Sequence, residues 1–175
     1  KWNDPPVEIS DLNYKYDSSG FRKPGETQFF TMPVIGGTPR QISNIKPEKR
    51  AGQAQWVGNN KVVFSANLND DSDYNTNNSE IYILELDSGK HKPLTSRNGP
   101  DFSPKVSHDN SLIAYIGYDD EYLGYQQNSI YVMKPDGSKK IKIQLDLDRN
   151  ITNIYWSGDN KRIFFQFDDE GLTKI

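Results

Sequence analysis

A turn motif recurs along this 175-residue chain at an interval of fifty. Trp56-Val57-Gly58-Asn59-Asn60-Lys61 returns as Trp156-Ser157-Gly158-Asp159-Asn160-Lys161, and Val106-Ser107-His108-Asp109-Asn110-Ser111 stands midway between them. Each copy runs directly into a hydrophobic stretch: Val62-Val63-Phe64, Leu112 to Ile116, and Ile163-Phe164-Phe165. A second element repeats on its own. Ile81-Tyr82-Ile83-Leu84-Glu85-Leu86-Asp87-Ser88-Gly89 matches Ile130-Tyr131-Val132-Met133-Lys134-Pro135-Asp136-Gly137, and Phe30-Thr31-Met32-Pro33-Val34-Ile35-Gly36-Gly37 fits the same frame. Short returns follow each: Arg40-Gln41-Ile42-Ser43, Lys92-Pro93-Leu94-Thr95 and Lys140-Ile141-Lys142-Ile143. Two unrelated anchors with one period restrict the chain to a repeat architecture.

The pattern within one period is a meander. Gly-Asn, Gly-Asp and Asp-Gly pairs supply the positive-φ positions of tight turns. Runs of five or six apolar, β-branched and aromatic residues between such turns read as strands, and helical periodicity is nearly absent. A four-stranded sheet of roughly 40–50 residues is one propeller blade. A lone blade leaves an apolar face wet, so blades stack on their neighbours. The fold class expected is therefore all-β, a β-propeller with four-stranded WD-like blades.

The expected organisation is a single β-propeller segment over 1–175. It holds a partial blade at 1–43, a blade at 53–95, a blade at 101–143 and the start of a blade at 151–175, about three to four blades in all. Ending just after the turn Asp169-Glu170-Gly171 interrupts a hairpin, which points to an excerpt of a longer propeller. The alternative is a small independent propeller whose end blade is shared by both termini. Open blade edges make self-association an expected property.

Composition narrows the function classes. The formal charge is −3 with no basic stripe, which argues against nucleic acid. No apolar run reaches membrane-span length, and the opening Lys1-Trp2-Asn3-Asp4-Pro5-Pro6 is no signal peptide. The absence of cysteine removes disulfides, thiolate zinc sites and a cysteine nucleophile. It suits an exported protein and equally a cytosolic one, so the compartment stays open between periplasm or secretion and cytoplasm, with a slight lean to the periplasm.

Candidate sites are few. No Gly-x-Ser-x-Gly elbow occurs, and the two histidines are His91 and His108. His108 reads as a turn residue and His91 as solvated. The stretch from Asn69 to Glu80 places oxygen-bearing residues at positions one, three, five, seven, nine and twelve, the spacing of a calcium-binding EF-hand loop. Asn69, Asp71, Asp73 and Glu80 are the calcium candidates. Tyr74 stands where such loops have Gly, and a polar hairpin loop is the plainer reading. The acidic triplets Asp119-Asp120-Glu121 and Asp168-Asp169-Glu170 read as equivalent loops after the second strand of their blades. Tyr115, Tyr118, Tyr122, Tyr125 and Tyr131 line a rim or serve as packing. No catalytic residue, resident metal or cofactor is assigned.

Trp-Ser-Gly-Asp-Asn-Lys-Arg-Ile-Phe-Phe at 156–165 resembles the strand-turn-strand unit of Tol-type propeller repeats. Leu86-Asp87-Ser88-Gly89 with Pro93-Leu94-Thr95 resembles the ending of the same unit. A narrower resemblance covers Gly99-Pro100-Asp101-Phe102-Ser103-Pro104 and Ile113 to Asp120. It continues through Tyr122-Leu123-Gly124-Tyr125-Gln126 to Ile130-Tyr131-Val132-Met133. These look like the propeller of bacterial acylaminoacyl-peptidase-like enzymes in the prolyl oligopeptidase family, as does Leu12-Asn13-Tyr14-Lys15-Tyr16-Asp17 with Gly20-Phe21. The resemblance implies a non-catalytic cap on an α/β-hydrolase domain, admitting peptides by size. The partners implied are that hydrolase domain and passing peptide substrates, and the serine-peptidase machinery belongs to the hydrolase domain. The alternative is a Tol-type periplasmic propeller that binds protein partners without peptidase activity.

Overall fold

The computed structural model describes residues 3, 5–9, 12, 14–18, 20–21, 27–46, 49, 51–52 and 54–175. Lys1, Trp2 and Asp4 of the opening segment, Asn13 of the first blade-like motif, and Gln53 at the start of the 53–95 unit lie outside the described residues. Among the described residues there is no helix, so none crosses a membrane.

Every sheet is antiparallel and each strand pairs with its neighbour in sequence. Strand β1 (Lys15–Tyr16) pairs with β2 (Gly20–Phe21), and β3 (Phe30–Thr31) with β4 (Arg40–Gln41). A four-stranded meander follows, made of β5 (Gln55–Val57), β6 (Lys61–Ala66), β7 (Glu80–Glu85) and β8 (His91–Pro93). The next has β9 (Asp101–Val106), β10 (Ile113–Gly117), β11 (Ser129–Met133) and β12 (Ile141–Lys142). A three-stranded sheet of β13 (Ile151–Trp156), β14 (Ile163–Asp169) and β15 (Leu172–Lys174) completes the chain.

The middle strands read as continuous apolar runs because both faces of their sheets are covered. The pleat sends Val62, Phe64, Tyr82 and Leu84 toward Ile42, Ile45 and Phe29 of the preceding segment. Val63, Ile81 and Ile83 point the other way, against Ile113, Tyr115, Tyr131 and Met133. Ala114, Ile116, Ile130 and Val132 then face Ile151 and Ile154. Phe64, Ile81, Ile113 and Ile116 are fully buried. Each such side chain stabilises by about 1.5–3 kcal/mol, and each sheet obtains that only from a neighbour. The Trp156 indole reinforces one junction by donating to the Lys105 carbonyl at 2.8 Å.

The repeated turns share a polar lock. In the last one Ser157 donates to Asp159 at 2.5 Å, the Lys161 N–H donates to the same carboxylate at 3.0 Å, and the Arg162 N–H donates to the Ser157 hydroxyl at 2.9 Å. Ser107, Asp109, Ser111 and Leu112 repeat that set. Val57 stands at the corresponding place in the first turn, and there Gly58 takes the positive φ, 63°. In the later turns Asn110 and Asn160 take it instead, at 59° and 58°. This corrects the expectation for Gly158-Asp159: the serine lock moves the left-handed residue onward to Asn160. A second correction concerns the acidic triplets. Strand β14 carries Asp168 and Asp169 within it, whereas β10 stops at Gly117, before Asp119.

Candidate functional site

The junction between the β5–β8 and β9–β12 sheets changes character along its length. Its apolar part ends where β7 and β9 begin, and there two acids are buried: Glu80 at 5% exposure and Asp101 at 1%. Thr95, just after β8, donates its hydroxyl to Glu80 and accepts the Ile81 N–H at 2.9 Å. Arg97 forms an ion pair with Asp101, and its Nε lies 3.8 Å from Asp119. The Arg97 guanidinium covers the Tyr131 ring at 3.9 Å from its centre, and Tyr131 stacks on Tyr115 at 5.3 Å.

The backbone makes room for this set at one glycine. Gly117 pairs with Asp101 in the β9–β10 register. A Cβ at Gly117 would collide with the Arg97 guanidinium, the Asp101 carboxylate and the Pro100 carbonyl. Beside these groups opens a cavity of about 250 Å³, lined in part by Thr95, Arg97, Asp101, Tyr115, Tyr131, Lys140 and Lys142.

The electrostatics follow from burial. Desolvation pushes the Glu80 carboxyl up to about 7, against the opposing hydrogen bond from Thr95. Asp101 is likewise raised by burial, with Arg97 pulling the other way. Burial and the Asp101 charge raise the Tyr115 phenol. Such a site favours the protonated form of Glu80 at moderate pH, keeps Asp101 paired with Arg97, and has Lys140 and Lys142 among its lining residues.

The four calcium candidates occupy different settings. Glu80 is turned into the sheet junction toward Thr95, while Asp71 and Asp73 are exposed on the loop. Asn69 is tied by its carbonyl to Lys49 Nζ at 2.7 Å and by its amide to the Asn78 carbonyl at 3.2 Å. Among the described residues, no three acidic or histidine side chains converge as cation ligands. His108 is exposed in its turn. His91 departs from the solvated expectation: it is half-buried in β8, edge-on to Tyr82 at 5.9 Å and Phe64 at 6.4 Å. It borders an open cleft of about 740 Å³ between residues 40–44 and 86–91.

The five tyrosines divide. Tyr115 and Tyr131 are buried at the junction, while Tyr122 and Tyr125 project into solvent. Tyr118 and Asp120 both accept from Asn77 Nδ2 at 2.9 Å, which ties the long β6–β7 and β10–β11 loops together. Tyr74 joins the exposed aromatic rim of that face. The polar set at the junction is absent from the sequence reading. Its signal is nonetheless there, because Asp101 falls fifty residues after Ala51 and fifty before Ile151, a position that points inward.

No protein-family model matches the chain. Over 101 residues, 56% of its length, it is 32% identical to Dipeptidyl-peptidase 5 of Porphyromonas gingivalis, covering 14% of that protein. TolB from Acinetobacter baumannii superposes with a TM-score of 0.64 at 17% identity, over 86% of this chain and 34% of that one. A protein assigned as TolB in Agrobacterium tumefaciens gives 0.61 at 21% identity, over 84% and 48%. An oligogalacturonate lyase of Vibrio parahaemolyticus gives 0.60 at 16% identity, over 83% and 43%. The chain thus spans a small part of the curated relative and under half of each of these structures. Fold and sequence together describe a segment of a TolB-like β-propeller with similarity to a dipeptidyl peptidase.

Proposed function

We propose that the chain is the non-catalytic propeller portion of a prolyl-oligopeptidase-family serine peptidase, capping a hydrolase domain and filtering peptides by size. The observation that carries this reading is the 32% identity to Dipeptidyl-peptidase 5 over 101 residues. In this reading the units 53–95 and 101–143 are whole blades, with 1–43 and 151–175 belonging to incomplete ones. The loop face bearing Tyr74, Tyr122 and Tyr125 supports it as well, since exposed aromatics suit contact with a second domain or an entering peptide. The nucleophile, acid and histidine are assigned to the hydrolase domain, and none to this chain.

The gene supplies the test. Continuation of the reading frame into a Gly-x-Ser-x-Gly elbow, followed in order by Asp and His, is the expected result. A stop codon after enough further repeats to close a ring would leave a partner-binding TolB-like propeller instead. The purified 175 residues are expected to leave a dipeptidyl anilide intact, and turnover that survives repurification would refute the non-catalytic role.

A further inference from the structure

The repeat predicts what fills a junction between neighbouring sheets, and the last junction is filled only in part. Between β5–β8 and β9–β12, Tyr131 and Met133 of β11 are buried against Ile81, Ile83 and Leu94 of the sheet before. They stand opposite Tyr115 and Ile113 in the β10–β11 register, so all four point to one face. Fifty residues after Ile113 and Tyr115 come Ile163 and Phe165 of β14. Forty-nine after Ile81, Ile83 and Leu94 come Ile130, Val132 and Ile143. Those five residues, together with Trp156, form most of the wall of a cavity of about 340 Å³. Its walls are those of the filled junction, and it lies where Tyr131 and Met133 lie one repeat earlier.

The backbone beside the cavity is open in the same way. Strand β10 pairs with β11 along its whole length, from Ile113 to Gly117. Strand β14 pairs with β15 only at Phe167, Asp168 and Asp169, opposite Lys174, Thr173 and Leu172. From Ile163 to Gln166 it is paired on the β13 side alone. A free edge above an apolar groove is an acceptor for an added strand. Main-chain hydrogen bonds hold such a strand, and its alternate side chains enter the groove. Strand β15 sets the register: with Lys174 opposite Phe167, the first residue past Ile175 comes opposite Phe165 and the third opposite Ile163.

Two observations point to the same polypeptide as the source of that strand. Strand β15 already runs along β14 toward the cavity. The chain also covers only 34% and 48% of the two TolB-type structures that it resembles.

We propose that this groove takes a strand that continues β15 in the parent polypeptide, with large apolar side chains at the first and third positions after Ile175. The proposal rests on the reading of 151–175 as part of an incomplete blade.

Calorimetric titration of the 175-residue chain with the synthetic peptide Asn128–Lys134, its own β11, tests the groove at two temperatures. The peptide is expected to bind. Two doubly substituted peptides separate the faces of the strand: Tyr131→Ser with Met133→Ser, and Ile130→Ser with Val132→Ser. The first should bind at least about tenfold more weakly than the second, because only its lost side chains enter the groove. Leu145→Asp in the chain, at a half-exposed place on the groove wall, should weaken the unaltered peptide about fivefold or more. Equal loss in the two altered peptides, unchanged affinity in the folded Leu145→Asp chain, or no heat at either temperature overturns the groove assignment. Release of a pre-existing dimer by the peptide would assign the groove to a second copy and overturn the source. The parent reading frame tests that source directly: apolar residues at both positions support it, and polar residues or a stop codon there overturn it. Apolar residues at both positions support the strand even where no Gly-x-Ser-x-Gly elbow follows, so this proposal and the peptidase reading fail separately.

Discussion

The side-chain oxygen of Asn160 accepts the backbone N–H of His108 at 2.8 Å, joining turns of successive sheets. One repeat earlier Asn110 accepts the Gly58 N–H at 2.7 Å. Both asparagines hold the left-handed backbone conformation that their turns require. One residue type thus closes a turn and ties it to the sheet before. Asparagine suits both tasks, because it tolerates positive φ and carries an acceptor on a short side chain.

Separating those tasks gives a first prediction. Asn160→Gly keeps the backbone conformation and loses the bond, so it should destabilise by about 0.5–1.5 kcal/mol. Asn160→Ala loses the bond and adds left-handed strain of about 1 kcal/mol. Urea unfolding should therefore rank wild type above Gly and Gly above Ala. Identical midpoints would show that the inter-sheet bond carries no weight.

Glu80 predicts the sign of a pH dependence. Burial raises its carboxyl from the ordinary 4.5 to about 7. Between those values the folded chain holds a proton that the unfolded chain has released, so stability falls as pH rises through the window. Asp101, raised by the same cause, acts in the same direction. Asp109, Asp136, Asp159 and Asp169 have lowered values, so their contribution is lost only at more acidic pH, below the ordinary 3.8. Glu80→Gln should flatten the decline in melting temperature between pH 5 and pH 7.5, and an undiminished slope would assign it elsewhere.

Gly117 should not tolerate a methyl group. Gly117→Ala drives a Cβ into the Arg97–Asp101 pair and the Pro100 carbonyl, none of which can withdraw freely. Overpacking of this kind costs about 1–3 kcal/mol. Denaturant titration should show the loss, while Gly124→Ala, with open space around its Cβ, should leave the midpoint nearly unchanged.

Exchanging one residue between junctions tests whether the polar set depends on its partners. Ile151→Asp places an acid at the position equivalent to Asp101, amid Ile116, Ile130 and Ile154. Without an Arg97 equivalent it should destabilise by about 3 kcal/mol or more, or fold with the carboxyl protonated. Melting temperatures at acidic and neutral pH distinguish the variant: its deficit should grow as pH rises. A deficit independent of pH would mean that the carboxylate finds water.

The fifty-residue interval, the sheet class and the stacking of each unit on the next were legible in Trp56, Val106 and Trp156 and in the apolar runs behind them. Those features are local: turn chemistry and strand pattern survive repetition. The junction of Glu80, Thr95, Arg97, Asp101 and Tyr131 was not legible, because its members come from strands and connectors of two different sheets. Glu80 reads in sequence as the last ligand of a polar loop, and only folding turns it toward Thr95. His91 likewise looks solvated until β8 lays it against Tyr82 and Phe64.

Sequence alone determined that this chain builds stacked antiparallel sheets, since alternation and turn residues act within a few positions of one another. Tertiary structure decided which inward positions become charged and where a cavity opens. Burial of a polar group is set by the partners that long-range packing brings to it.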